Sequence, residues 1–388
     1  MTSKLPFGGE RVRLGDVCEI IGGATPKTGN PEYWNGDIKW VTPAEIGDGT
    51  HIVNDTAKHL TAEGFRSASL HMMPVGTVLL TTRAPIGKVA ITGAEMCCNQ
   101  GFKNLVCSKR AYNEYLCRYL RFRSGALQSL GSGATFKELS KRTVTNIEIA
   151  LPSLEIQHEA VMKLSKIEEA MVECDRMLTV ITSLVKSRFV EMFGRLPRGE
   201  YQSLKQVCSI ITDGTHQPPK FVAEGIPFLF VSNIVGDSLT YDTQKYITKT
   251  DYENLIRRTP VEPGDLLISA VGSFGHPAVV RSNQPFCFQR HIAYLKPKRD
   301  IVNSEYLHSA LLSPESQAYF DREAKGVAQR TVTLKSFKEL KVPVPPIELQ
   351  NEFADFAARA DKSRVVAQKQ KKTLQTLYDS LAQEYFAI

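Results

Sequence analysis

The sequence predicts an α+β chain in which one plan is used twice: two similar domains with β-rich centres, separated by two long antiparallel helices, with a pseudo-two-fold internal repeat. Three observations predict it. The stretch 151–193, LPSLEIQHEAVMKLSKIEEAMVECDRMLTVITSLVKSRFVEMF, meets VPPIELQNEFADFAARADKSRVVAQKQKKTLQTLYDSLAQEYF without a gap when the chain is shifted by 193 residues. Apolar residues in both stretches follow the three-four spacing of a helix seam. The β-rich runs before the first stretch are retraced before the second.

In the first helix Ala160, Leu164, Ile167, Met171, Cys174, Leu178, Ile181, Val185 and Met192 form a heptad seam, broken only at Arg188. The second helix keeps the register with Phe353, Ala357, Ala360, Ala367, Leu374, Tyr378, Leu381 and Tyr385, but places Arg364 and Lys371 in its middle. A seam interrupted by cations is a poor self-contained coiled coil, so part of this face is expected to meet another protein or solvent. Arg364, Gln368, Lys369 and Lys371 are the expected partner-binding residues. About 40 residues at 1.5 Å each give roughly 60 Å of helix. If the matching seams pack, the second helix runs back along the first, and Ile388 ends near the first domain.

The expected domains are 1–152 and 196–345, with spacer helices at 153–195 and 346–388. A chain of 388 residues is too long for one ordinary core. Its 42% apolar and 23% charged composition is that of a soluble globular protein. No apolar run approaches a membrane span, and MTSKLPFGGERVRLG lacks the apolar centre of a signal peptide, so a cytoplasmic location is expected. The eight cysteines show neither CxxC spacing nor a pairing with histidines, so no zinc site or disulfide framework is indicated. Cys18 and Cys208 stand at matching repeat positions and read as small buried hydrophobes. Of the net charge of +7, the excess falls on 1–152 and 196–345, while the helices are close to neutral. That surplus is compatible with a polyanion partner.

Along 11–150, residues 17–21, 38–42, 77–82, 88–92 and 105–108 read as strands, separated by GG, NPEYWNGD, GDG and RAPIG. Residues 113–130 read as a pair of helical turns. The second half answers with LKQVCSII for LGDVCEII and PGDLLISAVGSFGHPAVV for VGTVLLTTRAPIGKVAI. Gly76 and Gly87 match Gly264 and Gly275, Gln100 is matched to Gln289, and the EYL at Glu114 to the EYL at Glu305. GRLPRGEYQ, 194–202, stops the first helix and links the halves.

These motifs together, LGDVCEIIGGATPKTGNPEYWNGDIKWVTPAEI, TTRAPIGKVAI, CNQGF and IEIALPSLEIQ running into a long helix, with the set repeated, resemble the specificity subunit of type I restriction-modification enzymes. The resemblance covers essentially the whole chain. It implies two target-recognition domains, each reading one half of a split double-stranded DNA target. It further implies helices that bind methyltransferase subunits, expected to be two, and a translocase-nuclease subunit reached through the complex. The methyltransferase subunits use S-adenosylmethionine; the specificity subunit itself is not catalytic and needs no cofactor.

The residues themselves can be asked whether the chain is an enzyme. NPEY at 30–33 lacks the second proline of the NPPY box of adenine methyltransferases, and no Gly-rich strand-to-helix loop for a methyl donor is present. No GxxxxGK[ST] loop occurs either. A self-contained methyltransferase and a coiled-coil adaptor remain the rival readings. DNA reading needs cations and amides on loops that a sheet can push toward phosphates and base edges. Thr25 and Lys27, Arg83 and Lys88, and Lys137 and Lys141 fit in the first half. His216, Gln217, Lys220, Ser273, His276, Arg290, Arg330 and Lys335 fit in the second. Different loop chemistry in the halves implies an asymmetric target.

Overall fold

A computed structural model describes residues 9–47, 49–83, 85–132, 137–217, 219–327 and 329–387. The expectations about the extreme N-terminus (1–8) and about Ile388 lie outside these residues. The chain divides into a first unit, Met1–Cys174 with Gln370–Ile388, and a second, Asp175–Lys369.

In the first unit a five-stranded sheet runs in the order Cys18–Gly22, Lys103–Cys107, Val78–Leu80, Val89–Thr92, Ile52–Val53. Its centre, Val78–Leu80, is apolar at every position because both faces are covered. Val78 and Leu80 point to a core with Tyr115, Leu116 and Leu120 of helix Asn113–Phe122. Leu79 points the other way, to Val41, Met96 and Phe102. Behind it lies a three-stranded sheet, ordered His59–Leu60, Trp34–Val41, Cys97–Cys98.

One sequence expectation is corrected here. NPEYWNGD is only half turn: Pro31–Tyr33 forms a 3-10 turn capped by Asn30, and Trp34 already begins the strand. Both Trp34 and Ile38 pair with Leu60, so the residues between them bulge, with Asn35 at φ +64°. Asn is one of the few residues that tolerate that conformation, so a turn-like composition here sits inside a strand.

The second unit repeats the plan. A sheet ordered Cys208–Asp213, Ile292–Pro297, Leu266–Ser269, Pro277–Val279 is backed by Tyr246–Ile247, Ile226–Leu229, Cys287–Phe288. Leu266 and Ile268 face Tyr306 and Leu307, while Leu267 faces Leu229 and Phe288. The parallel pairs Trp40↔Cys97 and Val41↔Cys98 match Phe228↔Cys287 and Leu229↔Phe288. This register corrects a second expectation. Asn99 and Gln289 donate to the carbonyls of Val41 and Leu229 (both 3.1 Å) and are therefore the equivalent pair. Gln100 matches Arg290 and Gly101 matches His291, one residue away from the match of identical letters.

The long helices are Leu154–Phe193 and Ile347–Phe386, each 40 residues. The seam is visible in burial: Ala160, Leu164, Ile167 and Cys174 are buried, whereas Val172 and Val180 beside it are exposed. Within the first unit the helices run antiparallel. The Tyr385 hydroxyl lies 3.4 Å from Glu159 and 3.3 Å from the Lys163 ammonium, and Tyr378 donates to Glu168 at 3.0 Å, so partners descend as residue numbers rise. In the second unit Phe189 and Phe193 pack on Phe353, with ring centroids 5.4 and 5.7 Å apart.

Candidate functional site

In each unit, four segments that are distant in sequence are knitted together at the ends of the sheet strands. In the first, the Ala24 amide donates to the Cys98 carbonyl (3.1 Å), the Thr82 amide to Gly101 (2.7 Å) and the Leu139 amide to Thr82 (3.0 Å). In the second, Thr215 donates to Phe288 (3.0 Å), Ala270 to His291 (2.9 Å) and Val332 to Ala270 (2.9 Å). These are the same contacts made by equivalent residues. They also explain two glycines in each copy. A Cβ at Gly23 or Gly214 would collide with the backbone carbonyls of Cys98 and Asn99, or of Phe288 and Gln289. Gly87 (φ +91°) and Gly275 (φ +81°) turn the chain back onto Thr81 and Ser269 through amide hydrogen bonds of 3.0 and 2.9 Å.

On this first framework Thr25 is exposed, with its hydroxyl on the Gln100 side-chain oxygen. Lys27 is exposed, and the turn carrying it is pinned by the Trp34 indole N–H, which donates to the Lys27 carbonyl at 3.3 Å. Arg83 pairs with Glu138 at 2.7 Å across an isolated antiparallel bridge. The Lys88 ammonium donates to the Ile46 carbonyl at 2.8 Å, which holds the loop. Lys137 and Lys141 are exposed and have no ion pair among the described residues. Lys141 opens the short helix Lys141–Thr145, whose cap is Ser140. Sequence reasoning passed over Lys103, which shares Glu138 with Arg83 at 3.8 Å. Burial holds its ammonium below the ordinary lysine pKa against the pull of Glu138. Its signal was weak because it lies in a strand.

On the second framework His216 lies 2.8 Å from Asp213, which also pairs with Arg258 at 2.7 Å. Gln217 and Lys220 are exposed in the same loop. Ser273 is exposed at the turn, and His276, at the position of Lys88, meets Asp237 at 2.9 Å. Arg290 is exposed, its amide donating to the Thr215 carbonyl at 3.0 Å. Arg330 stacks 5.0 Å from the centre of the Phe274 ring and pairs with Asp321 at 3.4 Å. Lys335 is exposed, 3.9 Å from Glu339. Arg258 was passed over by sequence reasoning. The loops thus gather cations, amides and hydroxyls. Among the described residues no cluster of His, Cys, Asp and Glu could hold a metal, and no helix is long and apolar enough to cross a membrane.

The expected partner residues lie elsewhere, on the second long helix. Arg364 is half-buried and pairs with Asp361 at 3.0 Å. Gln368 and Lys369 are exposed, and Lys371 is half-buried.

A family model described as Type I restriction modification DNA specificity domain matches residues 8–176 and again 200–375. The MjaIX type I restriction enzyme specificity subunit of Methanocaldococcus jannaschii is 30% identical over 257 residues, 60% of this chain and 59% of that one. The EcoBI specificity subunit of Escherichia coli is 25% identical over 277 residues, 63% of this chain and 57% of that one. These matches thus span less than two thirds of either relative. The MjaVIII specificity subunit of M. jannaschii is 19% identical over 404 aligned positions, covering 96% and 90%. Two solved structures share the fold. One, from work on complex assembly and conformational transition of the type I R-M system, has a TM-score of 0.61 at 23% identity, covering 99% of this chain and 98% of that one. The other, the S subunit of a type I restriction-modification system from M. genitalium, has 0.59 at 14% identity over 100% of both chains.

Proposed function

The chain belongs to the type I restriction-modification DNA specificity family, and on that premise we propose that it is the DNA-reading subunit of such a complex, acting by positioning and not by bond chemistry. Residues 1–152 and 196–345 each read one half of a split, asymmetric double-stranded target. Residues 153–195 and 346–388 are spacers. They set the distance between the half-sites and dock two methyltransferase subunits through the face around Arg364, Gln368, Lys369 and Lys371. A restriction translocase-nuclease joins through the complex, and the assembly works in the cytoplasm. The half-sites lie about one helical turn apart, roughly 10 bp centre to centre.

The observation that carries this reading is one loop framework, held by identical backbone contacts in both units, bearing side chains that are partly kept and partly changed. Lys137 and Arg330, each one residue before its strand bridge, keep a cation and suit phosphates. Thr25 with His216, and Gln100 with Arg290, differ in donor pattern and suit base edges. Arg83 and Lys103 supply further positive charge in the first half only.

The test is DNA binding by the chain assembled with its methyltransferase subunits, followed over a salt series. Affinity is expected to fall steeply, with a logarithmic slope of about −0.9 per phosphate contact. Salt-independent binding, or methyl transfer by the isolated chain, contradicts the proposal.

A further inference from the structure

The second unit contains a cavity of about 500 Å³ at the place where the first unit carries the buried Arg118. The correspondence is fixed by shared hydrogen bonds. The amides of Tyr112 and Asn303 donate to Gln157 and Gln350 at 2.7 and 2.9 Å, and the side chains of Asn113 and Ser304 to the carbonyls of Gly76 and Gly264 at 2.9 and 2.5 Å. Helix Asn113–Phe122 therefore answers Ser304–Leu311 residue for residue. Glu114 answers Glu305, and Arg118 answers Ser309. In the register of the long helices Ser165 and Glu168 answer Ala358 and Asp361, and Tyr378 answers Val185.

In the first unit Arg118, only 4% exposed, donates to Glu114 at 2.5 Å, Ser165 at 2.8 Å and Glu168 at 2.7 Å. The Tyr378 hydroxyl takes the other Glu168 oxygen at 3.0 Å. In the second unit both carboxylates are retained, but the arginine has become Ser309 and the tyrosine Val185. Glu305, Asp361, Ser309, Val185 and Ala358 all line the cavity. The carboxylates lean on peripheral arginines instead: Arg281 holds Glu305 at 2.8 Å and Arg364 holds Asp361 at 3.0 Å. His308 closes one wall with its ring on the Asp237 carbonyl at 2.9 Å, and burial lowers its pKa, which favours the uncharged imidazole.

We propose that this cavity is a docking site for an arginine side chain of a partner protein, which supplies in the second unit the clamped guanidinium that the first unit supplies from its own helix. The entering guanidinium takes the facing oxygens of Glu305 and Asp361 in the fork geometry that carboxylates prefer. Arg281 and Arg364 are released toward solvent, which their side chains already reach at 49% and 29% exposure. Its alkyl stem lies against Val185 and Leu312, both in the lining. The inference does not depend on what the loops read.

Titration of the full chain with arginine amide, monitored by calorimetry, tests it, with glutamate as the opposing probe. Arginine amide is expected to bind saturably. Glu305→Gln should weaken it about tenfold, and Ser309→Arg, which restores the internal occupant, should abolish it. Val185→Tyr fills the same space from the other wall and should also reduce binding, so a failure of Ser309→Arg to fold leaves a second arm. Ser309→Arg combined with Val185→Tyr should raise the melting temperature. Absence of arginine amide binding, binding indifferent to Ser309→Arg and Val185→Tyr, or tighter binding of glutamate overturns the proposal.

Discussion

Gln157 and Gln350, one in each unit, are fully buried and make the same three hydrogen bonds. Gln157 accepts from the Tyr112 amide (2.7 Å) and donates to the carbonyls of Arg110 (3.0 Å) and Pro152 (2.8 Å). Gln350 accepts from Asn303 (2.9 Å) and donates to Ile301 (3.1 Å) and Pro345 (2.7 Å). Each satisfies every polar atom of its amide while tying the entrance of a long helix to the start of the helix that covers the sheet. That is the physical content of the repeated LPSLEIQ and VPPIELQ.

Gln157→Ala and Gln350→Ala should each cost about 2–3 kcal/mol, because buried backbone partners lose their hydrogen bonds along with the amide. Urea titration followed by hydrogen exchange should place the loss in the unit that carries the substitution. A change below about 0.5 kcal/mol, the range of an ordinary surface substitution, contradicts the assignment.

Arg118→Met should destabilise the first unit by about 3 kcal/mol or more, since it leaves Glu114 and Glu168 without their shared cation. Adding Glu168→Gln to Arg118→Met should recover part of that loss. The corresponding change in the second unit, Ser309→Met, should not destabilise, because it fills the cavity. Melting curves of the three variants decide this.

Stability of the first unit should fall in acid through Glu114. Burial alone would raise its pKa, but the hydrogen bonds from His51 (2.7 Å) and Arg118 (2.5 Å) outweigh it, and the net shift is downward. A lowered carboxylate pKa stabilises above the unfolded value of about 4.3 and is lost as pH falls through the folded one. The stability gap between the parent and Glu114→Gln should therefore be full near neutrality and close below about pH 4. A gap that widens in acid contradicts the network.

Lys137→Ala and Arg330→Ala should weaken DNA binding uniformly across sequences and reduce the salt slope by about one. Gln100→Ala and Arg290→Ala should instead relax preference within one half-site by about 1–3 kcal/mol. Binding measured against libraries randomised in each half-site separates the two outcomes.

Much of this fold was legible because the physical signal was periodic. The seam from Ala160 to Met192 announces a helix, and runs such as VLLTT announce a strand. Reading stopped where tertiary register outweighs composition. NPEYWNGD reads as turn because its residues favour turns, yet the bulge at Asn35 admits it to a strand. By letter Gln100 matches Gln289, whereas the strand pairing in each unit makes Arg290 the repeat equivalent of Gln100. The clamp on Arg118 joins Glu114, a local i,i+4 partner, to Ser165 and Glu168, 47 and 50 positions away, so a local pattern could reveal only its first arm. Lys88 shows the limit for the site: its type and loop suggest a DNA contact, while its bond to the Ile46 carbonyl, 42 positions away, depends on tertiary register that no local pattern carries.

The central claim is that each unit reads its own half-site and that the long helices set the spacing. Methylation mapping across the source genome, after exchanging residues 201–343 for the corresponding segment of a relative, tests it most directly. The account predicts that one half of the methylated target changes while the other half and the distance between the halves stay the same. A change in both halves, or an unchanged target, would contradict it.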